Sequence, residues 1–360
     1  MARGFGVSDK YVKRTRKDKL MRQKVIALVS GAQPTSNYDV WKGYAHAFRM
    51  LGYSVQEVPY HALFRQWSEY ARFFGIVQGN KNWQFDAKDV VLSASLNLVM
   101  KIMETEPDEL VIIDGTNIHK AGWEWFRRMG FHTTTISTEC PYQDKSVGVL
   151  REYTHTMFAN DLVSARMLEL PYLPGAYNTN VHFPVAVPEN MRHDVIFVGS
   201  GFPERVRMLE GVDWSGIDFE FYGYYQIPDE HPLAPYYKDT EIANEQAAIL
   251  YNGAKISINL NRVSIDYDGK MRVPEAESIS PRVYEIAACG GFMISEYRPE
   301  LKAVFGDLVP SFTTPEQLND LIHYWLPREK ERREIGEELR KLVKPHSYIE
   351  RAKVVAQSFL

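Results

Sequence analysis

The stretch DVIFVGSG, residues 194–201, decides the fold, because it repeats in outline KVIALVSG, residues 24–31. In each, an apolar run enters a small-residue turn and a helix follows. Apolar runs of this length, unbroken by polar residues, mark strands buried on both faces. Two such starts, about half a chain apart, predict two α/β units rather than one.

The rest of the chain fills in the pattern. After VIALVSG (25–31) come a helix at YDVWKGYAHAFRMLG (38–52) and a strand at SVQEVPY. LVIIDG (110–115) is a strand. A helix through Trp123–Arg128 follows it, then the strand HTTTIST. MFAND (157–161) is one more strand, with the helix LVSARMLEL after it. The second unit runs through helix PERVRMLEGV, strand IDFEFYG, helix NEQAAILYNGA and strand KISINL. Strand GFMISE, helix PEQLNDLIHYWL and a charged helix over 328–343 complete it. Strands alternating with helices imply parallel sheets covered on both faces. The proline-rich segment LPYLPGAYNTNVHFPVAVPEN (170–190) reads as a linker. The expected divisions are a basic arm (1–24), a first Rossmann-like unit (25–170), a second (171–345), and a C-terminal helix (346–360) packing back toward the first.

Composition narrows the class. The chain has 360 residues, 45% hydrophobic and 24% charged, as for a soluble globular protein. No apolar run is long enough to span a membrane, and the N-terminus lacks a secretory leader's apolar middle. Two cysteines, Cys140 and Cys289, make no disulfide framework and no zinc-spaced cluster. A cytoplasmic setting is therefore expected. Net charge is −4, yet residues 1–24 carry nine Lys/Arg and two acids. A basic arm on an acidic body is a possible nucleic-acid footprint, and equally a solvated tail.

The most informative local stretch is ESISPRVYEIAACGG, residues 277–291. Ser280-Pro281 is a helix start, since serine caps N-termini and proline favours the first helical position. Gly290-Gly291 end that helix. A helix N-terminus is an anion site, and Arg282 in its first turn opposes the helix dipole unless an anion sits there. Arginine offers a planar fork to phosphate oxygens. Glu285, one turn deeper, can accept from a vicinal diol such as ribose. An Arg282–Glu285 surface ion pair is the plain alternative.

These residues carry a resemblance. RVYEIAACGGFMISEYRPELKAVF is similar to the C-terminal half of GT-B glycosyltransferases, and most similar to the family of the spore-maturation protein CgeB. The likeness extends over about residues 171–360, and in the first unit its best local match is STECPY (137–142). It implies a GT-B fold of two Rossmann-like domains facing across a cleft. The second would hold a nucleotide-diphosphate sugar, with UDP the expected nucleotide, and the first would hold the acceptor. It implies Arg282 on the diphosphate and Glu285 on the ribose. It also implies that Glu277, separated from Glu285 by seven residues, faces the donor sugar as the first of a glutamate pair, with Glu275 an equal candidate.

Other candidates follow from position. Gly199, Ser200 and Gly201 form the turn after the second unit's first strand, where backbone N–H groups can approach phosphate. Asn259, Asn261 and Arg262 end the strand ISINLNR, with Arg262 near the donor phosphates. Tyr222 and Gly223 close FEFYG and could border the base. On the acceptor side Asp114, Asn117 and Glu139 stand at strand ends, where open α/β sheets place their ligands. Asp114, Glu139 and Glu277 are the catalytic candidates. His46, His61, His119 and His132 are scattered and read as structural. Asp266 and Asp268 spell D-x-D but read as a loop, so no metal is expected.

The expected function is glycosyl transfer to an acceptor hydroxyl, metal-independent and, by resemblance, retaining. The acceptor is open: protein, glycan, small molecule, or a modified DNA base reached through the basic arm. A non-catalytic GT-B-shaped binding or coat protein, or a nucleotide-sugar epimerase of that shape, are the alternatives.

Overall fold

The structure is a computed structural model that describes residues 23–33, 36–77, 86–239, 242–265, 269–273 and 275–360. The basic arm to residue 22, and Asp266 and Asp268, lie outside the described residues.

The first sheet contains β1 (Val25–Val29), β2 (Ser54–Val58), β3 (Glu109–Ile113), β4 (Thr133–Ile136) and β5 (Thr156–Phe158). Its order is β2-β1-β3-β4-β5, and every pair is parallel. The second contains β6 (Val195–Val198), β7 (Phe219–Tyr222), β8 (Tyr237–Asp239), β9 (Ile256–Asn259), β10 (Met293–Glu296) and β11 (Ser311–Phe312). Its order is β11-β10-β9-β6-β7-β8, also parallel throughout. In both, the apolar strand singled out from sequence is internal. Ile26, Leu28, Ile196 and Phe197 are fully buried, as strands covered on both faces require.

The helices in chain order are α1 (Ser36–Met50), α2 (Tyr60–Val77), α3 (Ala87–Thr105), α4 (Lys120–Arg128), α5 (Asp144–Leu150) and α6 (Leu162–Met167) around the first sheet. Around the second are α7 (Pro203–Glu210), α8 (Asn244–Gly253), α9 (Pro281–Cys289), α10 (Pro299–Phe305), α11 (Pro315–Trp325) and α12 (Glu329–Leu342). Helices α2, α3, α5 and α10, and the short edge strands β8 and β11, have no counterpart in the sequence reading.

The last helix, α13 (Tyr348–Ala356), belongs to the second half of the chain but packs in the first domain's core. Tyr348 lies beside Tyr44, ring centroids 5.1 Å apart, and Ala352 and Val355 join the cluster around Ile26 and Phe48. The chain therefore crosses between the domains twice, and the crossings are bonded together. Tyr177 N–H donates to His346 O at 3.2 Å, and Tyr348 N–H to Tyr177 O at 3.0 Å. Arg351 donates to the carbonyls of Pro174 and Gly175.

A third tie runs through Asp161. One carboxylate oxygen caps α6 by accepting from Val163 N–H at 2.8 Å. The other accepts from the N–H groups of Glu277 and Ser278 in the second domain, at 3.2 and 3.1 Å. A single buried carboxylate thus serves both as a helix cap and as a domain joint.

Candidate active site

Between the carboxyl ends of the two sheets lies a cleft of about 1460 Å³. This is where ligands bind in open parallel α/β sheets. Its floor on the second domain is the turn after β6. There Gly199 and Gly201 donate their N–H groups to Tyr222 O and Tyr224 O, both at 2.8 Å. The expectation that these two glycine N–H groups cradle a phosphate is therefore corrected, since they tie the turn to the end of β7. The glycines are needed for a different reason, which is close approach. A β-carbon on Gly199 would lie 2.5 Å from Arg282 Nη2. One on Gly223, where φ is +134°, would lie 2.2 Å from Gly199 O.

Arg282 sits in the first turn of α9 and donates to Asn259 Oδ1 at 3.0 Å. Its guanidinium lies 5.2 Å from the Phe197 ring centroid. A second guanidinium, Arg205 of α7, lies 5.9 Å from the same centroid. Arg205 is buried, and it donates to Ser200 O at 3.0 Å and Asn261 O at 3.2 Å. Burial, and then the charge on Arg282, hold Arg205 below the ordinary arginine range. Two cations stacked over one ring at a helix N-terminus repel each other, and an anion between them relieves that repulsion. Arg205 was missed in the sequence because a lone arginine in PERVRMLE looks like any surface helix residue. Only the turn at residues 199–202 brings it beside Arg282.

Asn259 is fully buried beneath this pair, not in the cleft. Its Oδ1 also accepts from Ser280 Oγ at 2.9 Å, and its Nδ2 donates to Ser295 Oγ at 2.9 Å. Ser280 lines the cleft at the N-cap position of α9, but its hydroxyl serves Asn259 rather than the helix. The expected side-chain cap is absent, because a buried amide oxygen competes for the same hydroxyl. Gly290 does end the helix in the left-handed conformation, φ +76°.

Glu285 lines the cleft one turn beyond Arg282. Burial raises its carboxyl to about 7, against the lowering influence of Arg282. Asp39, from α1 across the cleft, is likewise raised to about 7 by burial, then by Glu285 and Glu245. The simple surface ion pair is not what forms, since Arg282 is spent on Asn259.

Glu277 does not enter the cleft. Its carboxylate pairs with Arg166 of the first domain at 2.5 Å, which lowers its pKa, and its N–H is held by Asp161. Glu275 is exposed. Tyr222 is also off the cleft, its hydroxyl bonded to Glu220 on the same strand face. Gly223 and Tyr224 line the cleft in its place.

Arg262 bridges the two domains. It lies 4.2 Å from the Tyr142 ring centroid and 4.5 Å from that of Phe202, and donates to Ser264 O and Ile265 O. Tyr142 Oη donates to Arg262 O at 2.8 Å. Arg262 Nη1 is 3.9 Å from Glu139 Oε2. Glu139 and Asp114 both line the first domain's wall and are electrostatically coupled. Asp114 is 2% exposed and is raised to about 7 by burial and then by Glu139. Glu139 is also raised, burial outweighing Arg262. Asp114 has a left-handed backbone, φ +67°, and accepts from Thr116 Oγ1 at 2.9 Å. Asn117 lines the same wall. Of the scattered histidines, His46 lines the cleft, while His61, His119 and His132 bond to Ser30, Ala121 N–H and Glu109.

Comparison with known proteins agrees with this fold. Sucrose-phosphate synthase from Thermosynechococcus elongatus superposes with TM-score 0.60 at 12% identity, over 93% of this chain and 98% of that one. The fold is GT-B. HepE from Anabaena, solved with UDP-glucose, superposes with TM-score 0.60 at 9% identity, over 93% and 99% of the two chains. A putative UDP-N-acetylglucosamine 2-epimerase from Listeria monocytogenes gives TM-score 0.55 at 11% identity, over 92% and 94%. At these identities the likeness is one of fold. Residues 204–357 match the family model described as glycosyl transferase-like. No curated protein matches the chain. Among the described residues no helix is long and apolar enough to cross a membrane.

Proposed function

We propose that the protein transfers a sugar from a nucleoside-diphosphate donor to an acceptor hydroxyl. The observation that carries this is the pair Arg205 and Arg282, stacked over Phe197 at the N-terminus of α9. In this reading the diphosphate lies between them and Glu285 takes the ribose hydroxyls. UDP is the nucleotide of choice, since HepE binds UDP-glucose in the same fold. Departure of the diphosphate needs charge relief, and preorganised guanidinium groups with a helix end supply it, so no metal is invoked.

The acceptor hydroxyl is placed against Asp114 and Glu139. Burial raises both carboxyls, Asp114 to about 7 with Glu139 adding to the shift, so Asp114 holds its proton through the lower part of the neutral range. The ionised member accepts the hydroxyl proton as the glycosidic bond forms. Glu277, engaged with Arg166, is given no catalytic role. Retention rests on the resemblance of the sequence to retaining GT-B enzymes, and the anomer of the product tests it. A modified DNA base remains an acceptor option only through the basic arm.

Titration of UDP-glucose into wild type, Arg205→Ala and Arg282→Ala tests the donor site. Each variant is expected to weaken binding at least tenfold, about 1.4 kcal/mol. Unchanged affinity in both would refute the assignment. An epimerase of this shape is the second reading, favoured by the Listeria fold match. It would return an isomerised nucleotide sugar without any acceptor. A binding or coat protein would bind nucleotide and release nothing.

A further inference from the structure

The two walls of the cleft carry opposite charge. On the second domain's side the lining cations are Arg205, Arg262, Arg282 and Arg298, against the carboxylates Glu245 and Glu285. On the first domain's side the carboxylates are Asp39, Glu57, Asp114, Glu139 and Asp161, against Lys42 and Arg49, with His46 the one imidazole. Lys42 and Arg49 are both committed to Glu57, at 2.5 and 2.6 Å. Asp161 is committed to four backbone N–H groups. That leaves Asp39, Asp114 and Glu139 as the remaining carboxylates lining this wall. Among the described residues the ion-pair partner of Glu139 is Arg262 of the opposite wall, at 3.9 Å.

Resting on the transferase reading, we infer that the acceptor is a hydroxyl compound that brings no phosphate or carboxylate to this wall: a neutral sugar or polyol, or a cationic amino sugar. An anion at this wall of a partly desolvated cleft meets like charge, and like charge is the usual means of excluding a wrong partner. Burial raises Asp39 and Asp114 to about 7, helped by Glu285 and Glu245 for Asp39 and by Glu139 for Asp114, so the wall carries its full negative charge above that pH. A sugar phosphate would have to take Lys42 and Arg49 away from Glu57. A nucleic-acid strand would run its phosphates past the same carboxylates.

The field can be read without knowing the acceptor. Cys140 and Cys289 are buried with thiols pushed up by burial, so an introduced cleft thiol is the reactive one. Gln143→Cys places a thiol in the first domain's wall and Ser200→Cys places one in the second. Each full-length variant is treated with a cationic and with an anionic methanethiosulfonate of similar size. The ratio of the two rates, divided by the same ratio for a small free thiol, cancels both the thiol's own pKa and the reagents' intrinsic difference, and is the ratio compared below. The cationic reagent is expected to react faster with Gln143→Cys, by about tenfold at low salt, and the preference to reverse for Ser200→Cys. High salt shrinks both ratios. Equal rates, or an anionic preference for Gln143→Cys, would overturn the inference.

Transfer is then compared with glucosamine, glucose, glucose 6-phosphate and a DNA oligonucleotide as acceptors, with UDP-glucose as donor. Faster transfer to glucose 6-phosphate or DNA than to glucose would also overturn it. Absence of any UDP-glucose binding or cleavage would instead count against the transferase reading, and the thiol ratios would still stand.

Discussion

A β-carbon on Gly199 would sit 2.5 Å from Nη2 of Arg282. The turn after β6 is therefore shaped around that guanidinium, and the glycine is required by the side chain above it. The closest atom is the end of a flexible side chain that can swing away, and the next, Phe197 Cζ at 3.0 Å, has to give by only a few tenths of an ångström, so the cost to the fold is small. Gly199→Ala is expected to leave the melting temperature within a few degrees of wild type. Donor affinity is expected to fall about tenfold, because Arg282 is displaced from Asn259 and the cleft. Calorimetric titration with UDP reads the second effect and a thermal melt the first.

Asn259 is the pin under the site. Its amide serves Ser280, Arg282 and Ser295 at once and is fully buried. Asn259→Ala strands those partners and leaves a cavity, at an expected cost of about 2–4 kcal/mol in urea unfolding. Donor binding is expected to weaken as well, through Arg282. A variant as stable as wild type would show that the network is incidental.

Asp114 predicts an unusual pH dependence. Its carboxyl is raised to about 7 in the fold, by burial and by Glu139. In the unfolded chain it titrates at about 4. Between those values the folded state holds the extra proton, so this group's contribution to stability falls as pH rises from about 4 to 7. Asp114→Asn is expected to be more stable than wild type at pH 7.5 by about 2–4 kcal/mol, and little different near pH 4. Transfer should behave oppositely in wild type, rising as the Asp114–Glu139 pair ionises, and it should be lost in the variant. Urea unfolding at both pH values, beside a pH–rate profile, checks the two signs.

The second crossing of the chain gives a prediction about the scaffold. A β-carbon on Gly43 of α1 would lie 2.2 Å from the Tyr348 ring of α13. That ring is packed against Tyr44 and cannot swing aside as Arg282 can. Gly43→Ala is expected to destabilise by about 1–3 kcal/mol through overpacking. Gly43→Ala combined with Tyr348→Leu is expected to recover part of that loss.

Much of this architecture was legible in the sequence, for identifiable reasons. The strands Val25–Val29 and Val195–Val198 are buried on both faces, so their apolar runs are unbroken. The helix from Pro281 to Cys289 announces itself through Ser-Pro and Gly290. Arg282 and Glu285 follow from that helix start, and both line the cleft. Two of the failures share a cause, which is partners distant in sequence. Glu277 meets Arg166, 111 residues away, and spacing to Glu285 says nothing of that. Arg205 gains meaning only beside Arg282. Tyr222 shares its strand face with Glu220, and alternation alone does not say which face meets the cleft. The edge strands β8 and β11 are too short to show a period.

The most direct test of the account is titration of UDP-glucose and UDP into the full-length protein and into the Arg205→Ala, Arg282→Ala double variant. The account predicts saturable binding of both ligands to wild type and a loss of about a hundredfold or more in a variant that still melts cooperatively. Equal affinity in wild type and the folded double variant would contradict it.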